Sequence, residues 1–175
     1  DEELPVVLVN GTDPQMRISS VSPANYYGAM QATRRLLEAG HRKIIHYTHG
    51  ARPTIEQRRR GFEAAVAAAG AEGTVVNSAE LRTAEFAARL AADAYDATAV
   101  FVWNDIAAVE ILETLGEARA GKPGGYAIVG FDDLPIASLA TPRLSTMHVD
   151  REAIGAAAIR LLRLNVEGDR NVEQL

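Results

Sequence analysis

Short apolar, β-branched runs alternate along this chain with longer stretches whose apolar residues recur at helical spacing. The first run is Val6-Val7-Leu8-Val9, and a helical stretch follows from about Asn25 to Ala39, closed by Gly40. Next comes the run Lys43 to Thr48. A helix opens at Thr54, with Gln57 placed to complete a capping box, and it continues through the alanine-rich Phe62 to Ala69 before Gly70. Thr74-Val75-Val76 predicts a weak strand, and Thr83 caps a helix to about Ala94. Ala99 to Val102 predicts a buried strand, and Asn104 or Asp105 caps a helix to about Ala120. Tyr126 to Gly130 is another buried strand, followed by a turn-rich piece from Asp132 to Thr141. Leu144 to Met147 is extended, and Asp150 caps a last helix that ends near Gly168.

Strands alternating with helices of this length predict βαβ units and a parallel sheet. Apolar runs without polar alternation predict strands covered on both faces. The fold class is therefore α/β, a doubly wound parallel sheet. Composition narrows the picture further. The chain has 175 residues, 47% of them hydrophobic, enough for one domain or two small lobes with a real core. There is no cysteine, which excludes disulfide staples and thiolate metal sites. The net charge is −5 and the basic residues are scattered, so this stretch has no electrostatic reason to grip nucleic acid. No apolar run approaches the roughly 18 residues needed to span a membrane. The acidic start lacks the regions of a secretory signal, so the expectation is a cytoplasmic protein.

In open parallel sheets, ligands sit beyond the carboxyl ends of the strands, where strand order reverses. Three strand ends carry suitable chemistry. After the Lys43 run come His49 to Thr54, with Arg58 in the first turns of the next helix; after Val102 comes Trp103-Asn104-Asp105; after Gly130 comes Phe131-Asp132-Asp133. An arginine fork, an amide and a carboxylate suit a neutral polyhydroxyl or heterocyclic ligand. An arginine beside an aspartate also lets each charge offset the other's desolvation. Each residue has a plainer reading. Asn104 and Asp105 are suited to helix capping. Asp132-Asp133 is equally a turn, a magnesium pair or a phosphoacceptor. Arg58-Arg59-Arg60 has the pattern of a solvated helix face. The four histidines have no metal-ligand spacing, and no nucleophile elbow or phosphate loop is present.

The ordered set of motifs resembles the lactose-repressor (LacI/GalR) family of bacterial regulators. It comprises Asn25 to Ala29, Gly40 to Ile44, Arg58 to Phe62, Ala99 to Phe101 with Asn104-Asp105, Ile128 to Asp133, and Pro142 to Thr146 leading to Gly155. The resemblance implies a periplasmic-binding-protein-like core of two lobes with an effector between them. Residues 41–146 would form the C-terminal lobe, and residues 1–40 and 147–175 part of the N-terminal lobe. Operator DNA would be bound through an N-terminal headpiece that this chain lacks, and the family's last strand would follow Leu175. Homodimerisation is implied.

The family's ligand contacts fall on Arg58, Asn104 and Asp132. Arg52 and Thr54 lie where purine-sensing members make further contacts, and Leu81 stands about where relatives place an aromatic ring. Trp103 and His148 complete the candidate set. Neither a catalytic role nor a metal or cofactor is implied, and a sugar is favoured over a nucleobase as effector. The competing reading within the same fold is a secreted sugar-binding protein of a transporter. An enzyme or phosphoacceptor on a flavodoxin-like sheet is a second, weakened because the first strand has no acidic end.

Overall fold

The alternating pattern folds as β1 (Val7–Val9), β2 (Ser19–Val21), α1 (Asn25–Glu38), β3 (Lys43–Thr48), α2 (Pro53–Ala68), β4 (Glu72–Asn77), α3 (Thr83–Ala91), β5 (Ala99–Val102), α4 (Asp105–Arg119), β6 (Ala127–Asp132), α5 (Pro135–Leu139), β7 (Ser145–His148) and α6 (Arg151–Val166). The structure, a computed structural model, describes residues 4–119, 125–168 and 171–175. Packing divides the chain into two units, residues 1–25 with 150–175, and residues 26–149.

The larger unit is built on a sheet of five parallel strands in the order β4-β3-β5-β6-β7. Side chains alternate across it as the pleat requires. Ile45 and Tyr47 of β3, with Val100 and Val102 of β5, point into an apolar layer under α3 and α4 that includes Phe86, Leu90, Ile111 and Leu112. His46, Phe101 and Phe131 point the other way. The His46 ring lies 5.3 Å from Phe62 of α2 and stacks on Phe101 at 4.6 Å. Burial on both faces is what the unbroken apolar runs anticipate.

Helix α1 packs within this larger unit, although the sequence placed it with the first segment. Small residues explain the packing. A Cβ on Gly28 would stand 2.9 Å from the Phe131 ring, and a Cβ on Gly61 of α2 would stand 2.1 Å from the carbonyl oxygen of Tyr26. The two helices approach backbone to backbone, and only glycine allows it.

In the smaller unit β1 and β2 pair in parallel. Residues 173–175 add to the other side of β2, through Ser20 N to Glu173 O at 2.8 Å and Leu175 N to Ser20 O at 2.9 Å. Helix α6 covers this layer with Ala158 and Leu161 against Val21. As expected, Asp150 caps it, accepting from the Ala153 N–H at 2.9 Å.

Several expected boundaries move. Strand β2 has no counterpart in the sequence reading, because a buried Ser-Ser pair leaves no apolar signature. The Thr54 capping box does not form: Arg52 is the N-cap residue without a side-chain cap, Pro53 takes the first helical position, and Thr54 is buried. Proline has no N–H to satisfy there, so the helix starts without a cap hydroxyl. Thr83 likewise lies inside its helix, after Arg82, and its hydroxyl meets Tyr47 Oη at 3.3 Å. That helix stops at Ala91 because Asp93 turns to φ 52°. The turn-rich piece after Asp132 contains the short helix α5, and α4 breaks at Gly116. The expected end of α4 near Ala120 lies outside the described residues. The stops at Gly40 and Gly70 take the expected left-handed form, at φ 97° and 60°.

The close approach of α1 and α2 yields a first prediction. Gly61→Ala forces the helices apart and lowers stability by about 3 kcal/mol, read as a fall in the urea midpoint. An unchanged midpoint would refute the backbone contact.

Candidate functional site

Strand β3 leads to β4 on one side, and the chain then returns to place β5 on the other. Strand order therefore reverses between β3 and β5, and the crevice beyond their carboxyl ends is the place where such sheets hold ligands. Thr48, His49 and Gly50 leave the end of β3, Trp103 and Asn104 leave β5, and Asp132 ends β6.

Arg58 joins these ends. It lies on the second turn of α2 with its side chain only 4% exposed. The guanidinium carbon stands 3.6 Å from the centroid of the Phe131 ring. Nη1 donates to the carbonyl of Trp103, and Nη2 donates to Asp132 Oδ1 at 3.2 Å. Burial draws the arginine below its ordinary pKa, and the Asp132 carboxylate acts against that. A cation in this position is tolerable because it has a counter-charge, a carbonyl and an aromatic face together. Its neighbours turn outward: Arg59 pairs with Glu56 and Glu63, and Arg60 with Glu56. The solvated-face reading therefore holds for two arginines of the run and fails for Arg58.

Asp132 adopts φ 108° and Asp133 φ 51°, conformations that side-chain-bearing residues rarely take. A second carboxylate, which the sequence offered only as a cap, braces this turn. Asp105, fully buried, accepts from Leu134 N at 2.7 Å and from Thr146 Oγ1 at 2.5 Å. Burial raises its pKa, and these hydrogen bonds oppose the rise. Gly130 leaves it room: a Cβ there would lie 2.3 Å from Asp105 Oδ1. The cap is Asn104, whose Oδ1 accepts from Ala107 N at 2.9 Å.

The other candidates scatter. Arg52 and Thr54 stand at the start of α2, the first exposed and the second buried. Leu81 belongs to the apolar layer under α3 and α4, and its carbonyl accepts from Tyr47 Oη at 2.8 Å. His148 ends β7, with Nδ1 2.7 Å from Asp133 Oδ2. Among the described residues no three metal-ligating side chains gather, and no helix is long and apolar enough to cross a membrane.

Sequence reasoning also passed over His46 and Thr48, on the β3 face that α2 covers. His46 is wholly buried; its Nδ1 lies 3.1 Å from the Phe101 carbonyl, while Nε2 and the Thr48 hydroxyl have no partner among the described residues. Nothing in the apolar pattern separates such a histidine from its aliphatic neighbours except its own identity.

A family model described as a periplasmic binding protein-like domain matches residues 33–175. The chain belongs to this family. It is 27% identical, over 98% of its length, to the HTH-type transcriptional repressor PurR of Photobacterium profundum, of which it spans 53%. It is 32% identical, over 77% of its length, to the ribose operon repressor of Escherichia coli, of which it spans 43%. Its fold matches a periplasmic binding protein/LacI transcriptional regulator from Alkaliphilus metalliredigens, solved with D-xylulofuranose, at a TM-score of 0.83 and 26% identity, covering 97% of this chain and 65% of that one. This periplasmic binding protein-like chain thus spans about half the length of the curated relatives it matches. Those relatives are transcription regulators, which favours the regulator over the transporter reading of the same fold.

The buried histidine makes stability depend on pH. Burial holds the His46 imidazole down at about 4, whereas in the unfolded chain it titrates near 6.5. Between these values the unfolded state binds more protons, so stability falls as pH drops through that window, by roughly 3 kcal/mol in all. In His46→Phe this component disappears. Urea unfolding at pH 7 and pH 4.5 should show a larger loss in the parent than in the variant, and equal losses would contradict the assignment.

Proposed function

We propose that the chain is the effector-sensing part of a LacI-type DNA-binding transcription regulator, with the unit of residues 26–149 as its C-terminal lobe. The remaining residues then belong to the N-terminal lobe. The observation that carries this reading is the buried Arg58, which ties the ends of β5 and β6 together at the crevice where strand order reverses. Arg58 and Asp132 hold the polar rim of the ligand, and Asn104 adds its amide nitrogen, its oxygen being committed to the helix. Arg52, Thr54 and Trp103 stand close along the chain to these residues and are further contacts. Leu81 and His148 are weaker ones, the first because it lies in the core.

The charges of Arg58 and Asp132 offset each other, which suits a neutral ligand; among neutral ligands we propose a sugar rather than a nucleobase. The matched regulator solved with D-xylulofuranose supports that class. In this reading the protein acts in the cytoplasm without catalysis, and operator DNA is bound by a headpiece outside this sequence, in a homodimer. The effector shifts the equilibrium between two lobe arrangements by its differential affinity for them.

Asp132→Asn tests the site. The amide retains the shape and loses the charge, so binding of a sugar found by a thermal-shift screen weakens about 30-fold or more. Circular dichroism should show the fold retained. Undiminished affinity in calorimetry would move the site elsewhere.

A further inference from the structure

An asparagine followed by glycine is chemically labile, and this chain contains the pair once, at Asn10-Gly11. The backbone nitrogen of the following residue attacks the asparagine side-chain carbonyl, and a side chain on that residue hinders the approach. The other asparagines, Asn25, Asn77, Asn104, Asn165 and Asn171, precede Tyr26, Ser78, Asp105, Val166 and Val172. The fold restrains most of these as well. Asn25 Nδ2 donates to Pro23 O at 2.9 Å, and Asn165 Nδ2 to Val6 O at 3.3 Å. Asn77 Oδ1 accepts from Gly50 N and Ala79 N, and Asn104 Oδ1 from Ala107 N.

Asn10 differs on each point. It is exposed just past β1, and its side-chain amide has no hydrogen-bond partner among the described residues. Its own N donates to Val21 O at 2.8 Å, the bond that closes the β1–β2 pairing. At φ 55° the chain then leaves the extended form. Gly11 N, the attacking atom, donates to no acceptor among the described residues. Nucleophile and electrophile are both uncommitted, and only hydrogens on the glycine stand beside their path. Packing does not demand the glycine: a Cβ there would meet nothing within 4 Å, and its φ lies outside the left-handed region.

We propose that Asn10 is a site of spontaneous deamidation in the folded protein. Gly11 N gives its proton to water and bonds to Asn10 Cγ, closing a five-membered ring. Nδ2 then takes a proton from water and leaves as ammonia. A second water opens the resulting succinimide at either carbonyl, leaving a carboxylate in aspartyl or isoaspartyl linkage. In sum, one water is consumed and one ammonia is released, with no oxidant, reductant or cofactor. The new negative charge stands three residues before Asp13, which accepts from Gln15 N at 3.0 Å and Arg17 N at 2.9 Å. In the isoaspartyl form the main chain also gains a methylene beside the bond from Asn10 to Val21.

The test is prolonged incubation of the 175-residue chain at neutral pH beside a synthetic peptide of residues 7–13, followed by peptide mass mapping. The segment holding Asn10 is expected to become about 1 Da heavier. Its rate should lie within about tenfold of the free peptide's, while segments holding Asn77 and Asn104 stay unchanged. Gly11→Ala, whose Cβ the fold accommodates, should slow the change about tenfold or more at an unaltered melting temperature. An isoaspartate-specific methylation assay should give a signal in the aged parent that the aged Gly11→Ala lacks. An Asn10 that remains an amide in the folded chain while the peptide converts overturns the proposal. Equal rates in parent and Gly11→Ala overturn the succinimide route, and faster change at Asn77 or Asn104 overturns the choice of residue.

Discussion

Arg58 is a cation taken almost wholly out of water, and the geometry of the strand ends follows from how that is made tolerable. Removing an ammonium- or guanidinium-sized charge from water costs several kcal/mol even after the protein relaxes. Three groups from different parts of the chain offset this: the Phe131 ring beneath it, the Trp103 carbonyl and the Asp132 carboxylate. Each must stay in place for the others to suffice. The end of β5 and the turn after β6 are thereby fixed relative to α2, and the unusual backbone of Asp132 is held against its own preference. Asp105 does the same from the opposite side of the turn, through Leu134 and Thr146. The two buried charges act as clamps on either side of one short segment. The polar groups of the candidate site are thus carried on rigid strand ends rather than on loose loops, an arrangement that would lower the ordering cost of binding a ligand.

The strands β3, β5 and β6 were legible because burial on both faces requires uninterrupted apolar runs, and helices α1 and α2 because their stops carry glycine. What escaped has physical reasons. Ser19 and Ser20 are buried by backbone pairing on both sides of β2, a role the side chains do not advertise. Thr54 has the residue type of a cap, but Pro53 sets the helix start one residue earlier and turns the threonine inward. Among Arg58, Arg59 and Arg60 the rotation of about 100° per helical residue sends only the first toward the sheet. The sequence places the three side by side without saying which faces inward.

The candidate site was legible as a set of strand ends and much less so as a set of contacts. Arg58, Asp132 and the backbone of Trp103 meet directly. Asn104 proved to be the cap that its residue type favours, with its oxygen spent on Ala107. Asp105 escaped because its partners lie 29 and 41 residues further along the chain, a distance no local motif spans. Leu81 falls among the buried aliphatics under α3 and α4. His46 sits beneath the arginine as a neutral base between aromatic rings, visible in sequence only as one polar letter inside a strand.

The fit between Gly130 and Asp105 carries a consequence for how this chain can change over time. The carboxylate oxygen occupies the volume where any side chain at position 130 would begin. Neither residue is free to drift alone. A larger residue at 130 evicts the carboxylate that fixes Leu134 and Thr146, while a shorter one at 105 opens a hole in front of the glycine and releases the same two groups. The two positions form a single unit of variation, and any lineage that alters one must alter the other to retain the turn that carries Asp132.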